Sequence, residues 1–213
     1  MNAVPATHSA WLRIPALFFS YLFHPLFIIA YTAAYLIYGQ TDLYLGAAEE
    51  KKFRTLLSIL SSNLLLPLVT VLLLKGLGFV QSIQLTTQKE RIIPYIACIT
   101  FFFWSYYVAR NLHYPHAMKG FLLGAFISVS AALLLNIYMK VSMHAMAVGG
   151  VSALFAWLLL SAQIHHGFAP ALAWMIAGVT CTSRFLVSDH RSVEIYAGFI
   201  AGFFLQLIAF WIA

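Results

Sequence analysis

Three short stretches of an apolar chain bring together cations, imidazoles and carboxylates. The stretch Ser183 to Gly198, SRFLVSDHRSVEIYAG, holds Ser183, Arg184, His190 and Glu194 at the mouth of a hydrophobic C-terminal segment. KVSMHA supplies Lys140, Ser142 and His144, and QKERIIP supplies Lys89 and Arg91. Arginine offers a planar fork of donors and lysine a point charge, and both suit a tetrahedral oxyanion such as phosphate. The spacing predicts how the imidazoles work. If the last helix begins near Asp189 as its N-cap, His190 and Glu194 stand four residues apart on one face. A carboxylate there accepts one imidazole N–H and leaves the other ring nitrogen as a nucleophile or base. Ser142 is expected to cap another helix start, with its amides turned to the same anion and His144 beside it as general acid.

Residues with this chemistry must be positioned by membrane elements. Of 213 residues, 62% are hydrophobic and only 8% charged, and mean hydropathy is +0.88. Ordinary soluble domains carry about 25% charged residues. A bilayer core about 30 Å thick takes about 20 helical residues to cross, and apolar runs near that length fall at 13–38, 55–80, 92–109, 119–140, 144–163, 168–187 and 193–212. The fold class read from this pattern is all-α, a polytopic transmembrane helical bundle of six to seven membrane helices. The third run is the shortest, so six crossings would follow if it is only partly inserted.

With seven crossings, the loops at 81–91, 140–144 and 183–194 share one face of the membrane. Lys51, Lys52, Arg54, Arg110 and Lys119 lie on the other. With the candidate anion ligands set aside, the positive-inside rule puts 40–54 and 110–119 in the cytoplasm and the shared face outside it.

Other features have ordinary readings. The net charge of +6 fits cytoplasmic loops of a membrane protein, and no nucleic-acid partner is expected. Cys98 and Cys181 sit in apolar runs as small packing residues. His113, His116, His165 and His166 are read as interfacial loop residues without acidic or thiolate partners. His24-Pro25 marks a kink with a local hydrogen bond. Arg191 is expected to snorkel to the interface. The pairs Gly120/Gly124 and Gly198/Gly202 point to close helix packing within the chain. No phosphate-binding P-loop, nucleophile elbow or dinucleotide fingerprint is present.

The run Ser183-Arg184, His190, Glu194, Gly198 resembles, in every spacing, the third signature of the type 2 phosphatidic acid phosphatase superfamily, with glutamate where the family has aspartate. Ser142-Met143-His144 is similar to its second signature, with Val141 for proline and Met143 for glycine. Lys89 through Pro94 looks like a compressed first signature. The resemblance covers about residues 80–203. It implies a single transmembrane domain over 1–213, with the family core at about 80–213 and two additional N-terminal membrane helices in 1–80.

The resemblance also implies roles. His190 forms a phosphohistidine, Glu194 supports it, and His144 protonates the departing group. Lys89, Arg91, Ser142, Ser183 and Arg184 hold phosphate, without metal or organic cofactor; Lys140 joins them on its own position two residues before Ser142. The expected function is a membrane lipid phosphatase acting on a lipid phosphomonoester or a prenyl or lipid diphosphate at the outer face of the cytoplasmic membrane. The alternatives are a catalytically degenerate relative that binds lipid or serves as a scaffold subunit, and a transporter. Because glutamate is one methylene longer than the family's aspartate, Glu194→Asp is expected to be tolerated or to speed turnover.

Overall fold

The computed structural model describes residues 9–164 and 167–213, so His165 and His166 lie outside the described residues. All regular structure among them is helical: α1 (Ala10–Leu22), α2 (Pro25–Ala34), α3 (Glu49–Leu60), α4 (Leu66–Gly76), α5 (Gln88–Asn111), α6 (His116–Leu135), α7 (Met143–Leu160), α8 (Phe168–Val187) and α9 (Ser192–Ile212). A π-helical turn (Ser61–Leu65) fuses α3 and α4 into one rod of 28 residues, and another (Tyr35–Gly39) extends α2.

Six helices are long and apolar enough to cross a membrane: Glu49–Gly76, α5, α6, α7, α8 and α9. The protein is a multi-pass membrane protein in its architecture. The uncertainty in the count lies elsewhere than the sequence suggested. The third run becomes α5, whose 24 residues span about 36 Å at 1.5 Å per residue. The first run is the one that fails to form a straight span. α1 and the α2 rod (Pro25–Gly39) are bent by 56° at a break between them, and a seventh crossing exists only if this pair counts as one. Pro25 explains the break. It donates no N–H to a helix, and it drives the preceding residue into extended geometry, as at His24 with φ −62° and ψ 141°.

Glycines set how closely the last helices approach. In α7 and α9, Gly149 lies against the Phe199 carbonyl and Gly202 against that of Met146, so a methyl group at either would collide with backbone. Gly120 and Gly124 of α6 likewise receive Phe210 and Gln206 of α9. Both small-residue pairs therefore pack helices within the chain, as their spacing suggested.

The three polar loops meet at one end of this bundle. Arg91 Nη1 donates to the Val141 carbonyl at 3.0 Å, Lys140 pairs with Asp189, and the Ser142 N–H donates to the Glu194 carbonyl at 3.0 Å. Gln88 and Asn136 exchange side-chain to backbone bonds at 2.7 and 2.8 Å, which joins the start of α5 to the end of α6.

Candidate functional site

His190 and Glu194 form the centre of the polar end. The helix begins later than expected: the N-cap of α9 is Arg191, not Asp189. His190 thus precedes the helix, yet its Nδ1 still lies 3.2 Å from Glu194 Oε2. Glu194 has no proton to give when ionised, so Nδ1–H donates and Nε2 keeps a free lone pair. The carboxylate is fixed by further bonds, accepting from the Arg191 N–H at 3.1 Å and from Arg191 Nε at 3.2 Å. Arg191 reaches the surface as expected, with 71% of its side chain exposed, and pairs with Glu194 on the way. Only 2% of the His190 side chain and 7% of that of Glu194 are exposed, so the pair is shielded from water.

Burial first, then the positive charge of Arg91, with Arg184 and Lys140 adding to it, pushes the His190 pKa down to about 4 against the opposing bond to Glu194. His190 is therefore neutral at physiological pH. Three cations surround a neutral imidazole with an available lone pair, an environment suited to a nucleophile approached by an anion.

The cations differ in how they are held. Arg91 is buried, with Nε bonded to the Leu85 carbonyl at 2.9 Å and Nη1 to that of Val141; the remaining guanidinium N–H groups are left for another acceptor. Arg184, on the last turn of α8, donates from Nη1 to Ser20 Oγ at 2.7 Å, while its buried Nε has no partner. A buried guanidinium N–H without an acceptor is costly, and an anion's oxygen would satisfy it. Lys140 donates to Asp189 and, at 3.0 Å, to the Thr86 carbonyl. Burial acts to raise the Asp189 pKa, but the Lys140 hydrogen bond and charge outweigh it and hold it low. Lys140 thus fixes the loop before His190 and contributes its charge at a distance.

Three expected phosphate ligands stand otherwise than the sequence suggested. Ser142 is the N-cap of α7 as expected, its hydroxyl accepting from the Ala145 N–H at 3.5 Å, but its own N–H is taken by Glu194. It joins α7 to α9, leaving the Met143 and His144 amides as the unpaired first donors of the helix. Ser183 is buried and donates to the Val179 carbonyl at 2.8 Å, the usual way for a helical serine to satisfy its hydroxyl in apolar surroundings. Lys89 is exposed, and the charges acting on His190 are those of Arg91, Arg184 and Lys140. Of the compressed first motif, Arg91 is the residue that turns inward.

His144, in the first turn of α7, has its Nε2 at 3.1 Å from the carbonyl oxygen of Ser20. Its ring meets that of His24 edge-on, with centroids 5.2 Å apart. His24 does mark the kink and does make the expected local bond, accepting weakly from the Leu26 N–H at 3.4 Å. What the sequence reading missed is that Ser20 and His24 reach the site. A signal existed for His24, since an ionisable residue inside an apolar span is a functional candidate by default. Ser20 carried none. The capping box that begins α5, Thr87 with Glu90, was also readable as a Thr-x-x-Glu pattern. Among the described residues, no group of three His, Cys, Asp or Glu side chains is placed to hold a metal ion.

No protein-family model, curated protein or solved structure matches the chain.

Proposed function

We propose that this protein is an integral-membrane lipid phosphatase that works through a phosphohistidine, with its site at the outer face of the cytoplasmic membrane. The observation that carries the reading is the neutral His190, oriented by Glu194 through Nδ1 and surrounded by the charges of Arg91, Arg184 and Lys140. Nε2 of His190 attacks phosphorus, and the bond from phosphorus to the leaving oxygen breaks. His144, protonated at both ring nitrogens beside the bound phosphate, delivers its Nε2 proton to that oxygen and becomes neutral, and Glu194 balances the charge gained by the His190 imidazole. Water then attacks the phosphohistidine, His144 takes the proton that water loses, the phosphorus–nitrogen bond breaks, and inorganic phosphate leaves with His190 neutral and His144 protonated again. Arg184 and Arg91 hold the non-bridging oxygens while charge shifts among them, where fixed donors act most strongly. A site at helix ends near the interface lets the lipid tail stay in the bilayer while the headgroup reaches His190.

Phosphate release tests this directly. Purified parent and His190→Ala are compared on phosphatidic acid, phosphatidylglycerol phosphate, a polyprenyl diphosphate and lipid A phosphates. The parent is expected to release phosphate from at least one of them and His190→Ala from none. Equal release by both removes His190 as nucleophile. Release by neither favours a lipid-binding or scaffold role.

A further inference from the structure

The corner between α1 and α2 lies outside residues 80–203, which carry the motifs, yet it takes the two donors on which the proposed chemistry depends. The carbonyl of Ser20 is 3.1 Å from His144 Nε2, and its hydroxyl accepts from Arg184 Nη1 at 2.7 Å. A carbonyl oxygen can only accept, so the hydrogen is on His144 Nε2 and points at Ser20. Two oxygens of one residue thus satisfy a general acid and a phosphate-binding guanidinium. A bound phosphate ester needs the same two donors, one at its leaving oxygen and one at a non-bridging oxygen. Ser20 and the substrate are competitors.

The rest of α1 is seated chiefly on one neighbour. The helix packs against α8, and from Trp11 to Leu22 its buried positions are Ala16 and Ser20, one turn apart on one stripe. Trp11, Ile14, Phe18 and Tyr21 are exposed, as residues facing lipid tails would be. Its 13 residues reach about 20 Å, too short to cross the bilayer alone, so the bilayer does not fix it as it fixes α5 to α9. An element packed on a single neighbour can move by parting that one seam, without disturbing the rest of the bundle. The break at His24-Pro25 supplies a hinge, and the His24 ring, packed on that of His144, makes rotation there felt at the site.

We propose that α1 is the substrate gate: when closed it places the two oxygens of Ser20 where those of a lipid phosphate bind, and it swings about His24-Pro25 to admit the headgroup sideways from the bilayer. The gate deepens the phosphatase reading and rests on it. An arriving phosphate takes Arg184 and His144 from Ser20, and α1 moves off α8 as it binds.

The test uses the full chain in lipid nanodiscs, with Cys98 and Cys181 changed to alanine and spin labels at Ile14 on α1 and Tyr196 on α9, both exposed. Orthovanadate, a tetrahedral mimic of phosphate, is the probe. Vanadate is expected to lengthen the distance between the labels. Ser20→Ala is expected to bind vanadate roughly three- to tenfold more tightly, because a competitor for a charged donor has gone. An unchanged distance at a vanadate concentration that abolishes turnover overturns the gate, whatever Ser20→Ala does. A parent that neither releases phosphate from lipids nor binds vanadate overturns the phosphatase reading, and the gate with it.

Discussion

Gly198, the last residue of the third motif, is where helix packing and site geometry become one requirement. A Cβ placed there would lie 2.6 Å from the Ser142 carbonyl oxygen and 3.3 Å from Val141 Cγ2. Ordinary contact starts near 3.4 Å, so Gly198→Ala forces α9 and the start of α7 apart by about 0.8 Å. The displaced turn carries the site. Glu194, one turn earlier on α9, accepts the Ser142 N–H through its carbonyl and holds His190 through its carboxylate, while His144 stands two residues beyond Ser142. Overpacking of this kind costs about 1–3 kcal/mol of stability. Misplacing reacting groups by nearly 1 Å lowers rate by about 100-fold. The assay is kcat/KM on the lipid phosphate that the parent prefers, with thermal unfolding followed in the same detergent. Gly178→Ala is the control: it sits on exposed α8 surface with nothing near its Cβ and should gain about 0.5–1 kcal/mol, as expected for alanine over glycine in a helix. Gly198→Ala that remains folded with parental kcat/KM would refute the coupling between packing and site.

Three further outcomes follow from the same geometry. Because the His190 pKa is pushed from 6.5 down to about 4, the acid limb of kcat/KM is expected below pH 5; a limb at the ordinary histidine value would contradict a shielded nucleophile. The same shift bears on stability. As pH falls from 6.5 toward 4 the unfolded chain takes a proton that folded His190 refuses, so stability is lost through that window and levels off below it. Replacing His190 with glutamine should flatten that part of the melting temperature against pH. For Glu194, the structure reverses the sequence-based expectation. Oε2 serves both His190 Nδ1 and the Arg191 N–H, a reach that aspartate at the same helical position lacks. Glu194→Asp is therefore expected to lower kcat, because His190 loses the bond that orients its ring for attack, and unchanged turnover would show that the bond is dispensable.

The helical membrane architecture and the convergence of three loops were legible in the sequence, because hydropathy and the count of crossings are one-dimensional properties of the chain. Once runs of about 20 apolar residues alternate sides, Arg91, Lys140, Ser142 and Glu194 are brought to one end whatever the side-chain details. The pairing of His190 with Glu194 was legible from their spacing, but the reason differs: α9 starts at Ser192, and the extended backbone at Arg191, not a shared helix face, brings the His190 ring to the first-turn carboxylate.

Which polar atoms remain available was a matter for the tertiary structure. Nothing local tells Arg91 to turn inward and Lys89 outward, or commits the Ser183 hydroxyl to its own helix and the Ser142 N–H to α9. Those choices follow from how each helix is rotated in the bundle, and burial compels every donor to find the nearest acceptor. The arrival of Ser20 between His144 and Arg184 is the extreme case. It joins residues more than 120 positions apart, through a bend set by one proline and a packing angle that no periodicity encodes.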